Sequence, residues 1–378
     1  MTNSLNIFTK MFKYAKPWHS KIYLASIFSI VNKLFDIAPE ILIGIAVDLV
    51  ARGPHSFIAN LGFETIESQV VFLAVATFFI WAFESTFQYL YMISWRNIAQ
   101  SVQNEIRLDT YEYTQRLDLQ WFESQRIGNI TTIINDDVNQ LERFLNNGIN
   151  DLIQIIVSTL AIGAVFFYIS PLIAMVALLP VPIILIIVLL FQKKLGPKYL
   201  DVRNAAGKLS NTIYNNLLGI VTIKSFSSEE VEVRRVSKLS NLYQQKNKAA
   251  ILLSSAFVPV VRMGVLSGFI ATTVIGSFLA LNGKIEIGSF SVLMFLTQRF
   301  LWPFTRIGEI VDLFERSMAS TKRILDLLGE RFNIKDKEKS ISKLVNNDIV
   351  FSNVMFEYDR GYPILNDFSL TIKRGQFL

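Results

Sequence analysis

Six charged residues stand inside long apolar runs: Lys33, Asp36 and Glu40 in one, Glu84 in the next, Arg262 and Arg299 in later ones. A charge in such a setting is costly and is kept where it faces protein, water or a ligand. Lys33 and Asp36 are three apart, which on a helix makes a local ion pair. Arg262 and Arg299 have no acid within one turn of their own helices. Two readings of them stay open. They line a pathway, with Glu84, and attract an anionic amphiphile such as a phosphate-bearing lipid. Or they pair with Glu84 or Glu40 across helices, or reach the headgroups. Residues for bond-making chemistry do not gather anywhere. There is no cysteine, so a disulfide framework and Cys-ligated metal are excluded, and His19 and His55 lie far from any acidic cluster. No catalytic residue and no metal site is expected.

The elements that must position these charges follow from composition. Apolar residues make up 51% of the 378 and charged residues 18%, with a mean hydropathy of +0.38. Such a balance suits lipid as the solvent. A helix needs roughly 20 apolar residues to cross a bilayer core. Six segments qualify: about 22–47, 70–94, 150–169, 171–192, 252–281 and 287–305. Ser170-Pro171 and Asn282-Gly283-Lys284 are tight turns between neighbouring spans. The first apolar stretch is long and lacks a small-residue cleavage site, so it is expected to stay as a helix rather than serve as a secretory signal. Pro180 and Pro182 in the fourth span and Pro259 in the fifth are expected kinks.

Sidedness comes from Lys and Arg. Twenty lie before the first span or in the connections 95–149 and 193–251, against Arg52 and Lys284 on the other side. Both termini and both long loops are therefore expected in the cytoplasm. The net charge of +6 is accounted for by this pattern, not by nucleic acid. Each long loop carries apolar residues at helical spacing and reads as a continuation of its flanking helices. Gln120-Trp121-Phe122-Glu123 sits at the tip of the first. Its two aromatics either dock in a partner's groove or pack the corner of a helical hairpin.

After the sixth span, Phe314 to Leu328 continues as an amphipathic helix, and a charged linker follows at 331–346. From about residue 347 the apolar beat turns to alternation, through Ile349 to Tyr358 and again through Phe368 to Ile372, which marks strands. A soluble domain is expected to begin there and to be incomplete at Leu378, since some thirty residues cannot bury a core. The expected fold is thus an all-α polytopic membrane protein at 1–330. Six transmembrane helices carry long cytoplasmic helical extensions, and the first strands of an α/β domain follow.

Taken together, these residues resemble the ATP-binding-cassette transporters, in particular half-transporters with the exporter-type membrane domain. The likeness rests on Pro39, Gly44 and Asp48 in the first span, and on Trp121-Phe122 with Gly128 and Asp137. It extends to Leu218 through Phe226, Gly283 to Gly288, Pro303 and Arg323-Ile324-Leu325. Its strongest part is Phe351 to Tyr358 followed by Ile372 to Gly375, which is similar to the opening of the family's cassette.

The resemblance implies that ATP and Mg²⁺ drive the complete protein. It implies that Tyr358 stacks on adenine, its alternative being a core tyrosine on a strand edge. Gln120, Trp121, Phe122 and Glu123, with Leu218, Gly219, Ile220 and Lys224, would be the two coupling helices. It also implies a second half-transporter, in a homodimer or a heterodimer with the homodimer favoured, while the positive-inside pattern and the absence of organelle-targeting features fit a bacterial inner membrane. An amphipathic lipid, drug or peptide would leave the cytoplasm by alternating access. The family's glycine-rich phosphate loop, expected soon after Gly375, is absent from these 378 residues, as are its signature motif and metal-binding acids. This chain by itself is therefore not expected to hydrolyse ATP. The alternative is a truncated or split-gene product with no transport or ATPase activity of its own. A channel or receptor is disfavoured by the two helical loops and the cassette-like tail.

Overall fold

The computed structural model of the protein describes residues 2–331, 348–357 and 361–376. An amphipathic helix α1 (Thr2–Tyr14) leads through a short 3₁₀ turn into α2 (His19–Arg52). Then come α3 (Ile66–Gln115), the six-residue α4 (Leu119–Ser124), α5 (Ile127–Ile169) and α6 (Pro171–Leu218). The six-residue α7 (Ile220–Ser225), α8 (Glu229–Leu281), α9 (Ile287–Leu301) and α10 (Ile307–Leu327) complete the helices. The chain ends in an antiparallel hairpin of β1 (Ile349–Glu357) and β2 (Pro363–Ile372), pairing Ile349 with Ile372 and Glu357 with Pro363. The expected linker falls largely outside the described residues.

Local chemistry sets the boundaries. Thr65 accepts from the Ser68 amide and caps α3. Ser170 accepts from the Ile173 amide, with Pro171 preset for the first helical position, so α6 restarts at once. The α8–α9 turn closes on Gly283 at φ 68°, which an L side chain rarely adopts. Pro39, Pro197 and Pro259 lie inside helices that continue through them. The sixth expected span is α9 plus a 3₁₀ turn, Trp302–Arg306, opened by Pro303, before α10 resumes.

Among the described residues, four helices are long and apolar enough to cross a membrane: α3, α5, α6 and α8. They measure 50, 43, 48 and 53 residues. At about 1.5 Å per residue, each is far longer than a bilayer core of about 30 Å. No residue in the most apolar stretch of α3 is fully buried within the chain, and Val71, Phe78 and Trp81 stand exposed along it. Apolar surface on that scale is stable only against lipid or another helix. α2 and α9 are the other two expected spans. α2 carries Lys33, Asp36 and Glu40, and α9 is only 15 residues long.

Two cores hold the bundle. One joins Ile162 and Phe166 of α5, Ile173 and Ile184 of α6, Val261 of α8 and Leu293 and Leu296 of α9. The other, at the Lys/Arg-rich end, joins Trp95 and Val102 of α3, Val138 and Phe144 of α5, and Met318 and Ile324 of α10. There α1 docks through Phe8, whose ring meets Phe144 and Phe314.

Candidate functional site

α2 presents Lys33, Asp36 and Glu40 along one face, and α9 brings Arg299 against them. Arg299 lies 2.6 Å from an Asp36 oxygen and also pairs with Glu40, while Lys33 holds the other Asp36 oxygen at 2.7 Å. Glu84 of α3 interacts electrostatically with all four. Its helix is fastened at that level by Asn32, whose amide donates to the Glu84 backbone carbonyl at 2.9 Å. Among the described residues the cluster thus gathers three carboxylates and two cations. One Glu40 oxygen is buried without a hydrogen-bond partner. Arg262 does not join the cluster. It stands exposed on α8, with no ion pair among the described residues. The local pair of Lys33 and Asp36 could be seen in the sequence. The reach of Arg299 to Asp36, across a separation of 263 positions, could not.

Below the cluster a polar seam ties α2 to α3 and α5. Trp95 donates to Ser29 at 3.0 Å, Ser29 donates to Asn150 at 2.8 Å, and Gln154 donates to the Ser29 carbonyl at 3.1 Å. Above it, α2 and α9 cross at two glycines. A Cβ on Gly288 would lie 2.6 Å from the Gly44 carbonyl oxygen, and one on Gly44 would overlap Val292. Asp48, one turn on, accepts from the Phe57 amide at 2.8 Å, and Arg52 bridges Asp48 and Glu286 at 3.1 and 2.9 Å. Beside this crossing lies an apolar cavity of about 560 Å³, walled by Ile45, Ala164, Tyr168 and Val292.

The two tips are short helices at the ends of long helical arms. In α4, Gln120 and Glu123 are exposed, while Trp121 and Phe122 are half-buried with their rings edge to face at 5.1 Å. The Trp121 indole N–H is buried without a partner. In α7, Ile220 and Val221 are exposed, as is Leu218 at the end of α6; Gly219 stands at the N-cap, and Lys224 pairs with Glu229 at 3.0 Å. Tyr358 lies outside the described residues.

One fastening was invisible in the sequence. α5 carries two π-helical turns, Ile133–Asp137 and Phe144–Gly148, and the first ends on Asp137. Asp137 is 3% exposed. It accepts from Ser320 at 2.8 Å and from the Arg323 Nε at 2.7 Å, both on α10. The hydrogen bond from Arg323 to Asp137 holds the guanidinium still more firmly in its charged form. α10 also takes a hydrogen bond from Gln192 of α6 to the Gly308 carbonyl. The helix that leads towards the C-terminal strands is therefore bound to the arms of both long hairpins.

Comparison with known proteins fits this geometry. Residues 22–304 match the ABC transporter transmembrane region. An uncharacterized ABC transporter ATP-binding protein, YknU of Bacillus subtilis, is 24% identical over 363 residues, 94% of this chain and 59% of its own. A probable multidrug resistance ABC transporter ATP-binding/permease protein, YheI of the same organism, is 22% identical over 376 residues, 98% of this chain and 62% of its own. A fatty acid ABC transporter ATP-binding/permease protein of Mycobacterium bovis is 24% identical over 276 residues, 73% of this chain and 44% of its own. The chain spans about three fifths of the length of the first two. The family match runs from the beginning of α2 to the foot of α9, across every helix that builds the charged cluster. This chain is a multi-pass membrane protein and belongs to the ABC transporter transmembrane region family.

Proposed function

We propose that this chain is the membrane part of an ATP-driven exporter subunit that moves an amphipathic substrate out of the cytoplasm. In this reading α2, α3, α5, α6, α8 and α9 are six spans, with both termini and both arms in the cytoplasm of a bacterial cell. The chain works with a second copy, which covers the apolar surface that one copy leaves open. The observation that carries the reading is the pair of arms. Each projects well past the apolar stretch of its helices and ends in a short helix with apolar side chains turned outward, as a surface that receives force from a motor would. The relatives named for multidrug and fatty acid transport support an amphipathic substrate.

Alternating access then needs a few stiff fastenings and a path between them. Arg299 serves α2 and α9 as a fastener, since both its ion pairs are to α2. Arg262, free of such pairs among the described residues, is left to meet an anionic headgroup. The cavity beside Gly44 and Gly288 offers apolar volume on the far side of the cluster. ATP hydrolysis by membranes carrying the protein, made from its own gene, tests the proposal. Hydrolysis stimulated by amphipathic lipids or drugs is expected. Membranes that hold the protein yet show no added hydrolysis would leave a product without a motor.

A further inference from the structure

A second cleft lies between α2, α5 and the turn joining α9 to α10, about 160 Å³ in volume. Lys33, Asp151, Gln154, Ser158, Trp302 and Arg306 are among its walls. It has the dimensions of a polar headgroup, not of a whole amphiphile. Its depth suits one: Asp151 opens the apolar stretch of α5, and Arg306 follows that of α9. Trp302, at its mouth, is 46% exposed, as an aromatic at a membrane–water boundary is.

The polar groups here have bonding capacity to spare. Lys33 spends one of three donors on Asp36 at 2.7 Å. Arg306 approaches Asp151 and Glu309 only at 3.8 Å each, beyond hydrogen-bond distance. Neither Arg306 nor Asp151 has a side-chain hydrogen bond among the described residues. Gln154 donates its amide to the Ser29 carbonyl, which leaves its own oxygen as an acceptor. A purely anionic ligand would lie against Asp151, and a purely cationic one against Lys33 and Arg306. Only a group bearing both charges meets all three.

We propose that this cleft binds a zwitterionic phosphate headgroup, its phosphate on Lys33 and Arg306 and its primary ammonium on Asp151. The inference rests on the reading of the chain as a transporter of amphiphiles and names the headgroup chemistry. The group comes either as part of a lipid or as a free glycerophosphoethanolamine.

The test is a thermal-shift titration of the purified, lipid-depleted chain in detergent. The probes are short-chain phosphatidylethanolamine, short-chain phosphatidylglycerol and soluble glycerophosphoethanolamine. Phosphatidylethanolamine should bind about tenfold more tightly than phosphatidylglycerol, the worth of one charge-assisted hydrogen bond. Asp151→Asn should erase that preference, Arg306→Gln should weaken both lipids about tenfold, and Arg316→Gln on the surface of α10 should change neither. Competition by the soluble compound at the lipid's own concentration assigns the free headgroup as the source; its failure assigns the lipid. Equal binding of the two lipids by the unaltered chain, or a preference that survives Asp151→Asn, would overturn the proposal. Should Asp151→Asn not fold, the lipid comparison on the unaltered chain and Arg306→Gln decide. The titration uses no ATP, so absent ATP-driven transport leaves its result untouched, and absent binding leaves transport untouched.

Discussion

Arg299 and Arg262 look alike in sequence and are opposites in structure. Removing Arg299 leaves Asp36 and Glu40 facing each other in a half-buried site. Breaking a buried pair costs about 3–5 kcal/mol; Arg299 is 37% exposed, so about 2 kcal/mol is expected for Arg299→Gln. Arg262→Gln should stay within about 0.5 kcal/mol. Melting of the two variants in detergent separates them. Tyr14 supplies a pH test outside the spans. Burial, then its hydrogen bond to the Asp109 carboxylate, raises its phenol well above the ordinary 10.0. A raised value means that the stabilisation is complete below the unfolded-state value and is lost as pH climbs above it. The stability gap between the protein and Tyr14→Phe should therefore be constant up to about pH 10 and shrink beyond it. An unchanging gap at higher pH would deny the Tyr14–Asp109 bond a stabilising role.

Helices were the most legible elements, because apolar length and breakers such as Pro171 and Gly283 act locally. What joins them was not. The sequence marks Asp137 and Arg323 only through family likeness, and nothing in periodicity reveals a π turn that aims one at the other. Likewise Pro39, Gly44 and Asp48 read as a pattern, yet the close approach of Gly44 to Gly288 depends on the crossing of two distant helices. These contacts carry their own expectations. Arg323→Ala leaves a buried carboxylate with Ser320 as its remaining hydrogen-bond donor, whereas Asp137→Ala leaves a guanidinium already 52% exposed. The first should cost about 3 kcal/mol and the second about 1 kcal/mol. The double variant should be more stable than Arg323→Ala alone, and equal losses in the two single variants would argue against the burial asymmetry. Gly288→Ala should cost about 1–3 kcal/mol by overpacking the crossing, read by the same melting measurement.

At the scale of the whole molecule, the fastenings form a continuous series of contacts. The tips α4 and α7 lie at the ends of arms, the arms of α5 and α6 hold α10, and α10 continues from α9, whose Arg299 grips α2. In the proposed reading, a push at the tips would be carried into α2 and α9, which border the cavity beside Gly44 and Gly288. The Lys and Arg count sets only an expected sidedness, because that rule counts residues and involves no contact between helices. The most direct test is ATP-dependent uptake of an amphipathic probe by inside-out vesicles, with the tips blunted as Trp121→Ala with Phe122→Ala, or as Leu218→Ala with Val221→Ala. Each pair should lower uptake about tenfold or more, as loss of a docking anchor does, while the melting temperature holds. Uptake at the unaltered rate from both blunted proteins would contradict force transfer through the tips.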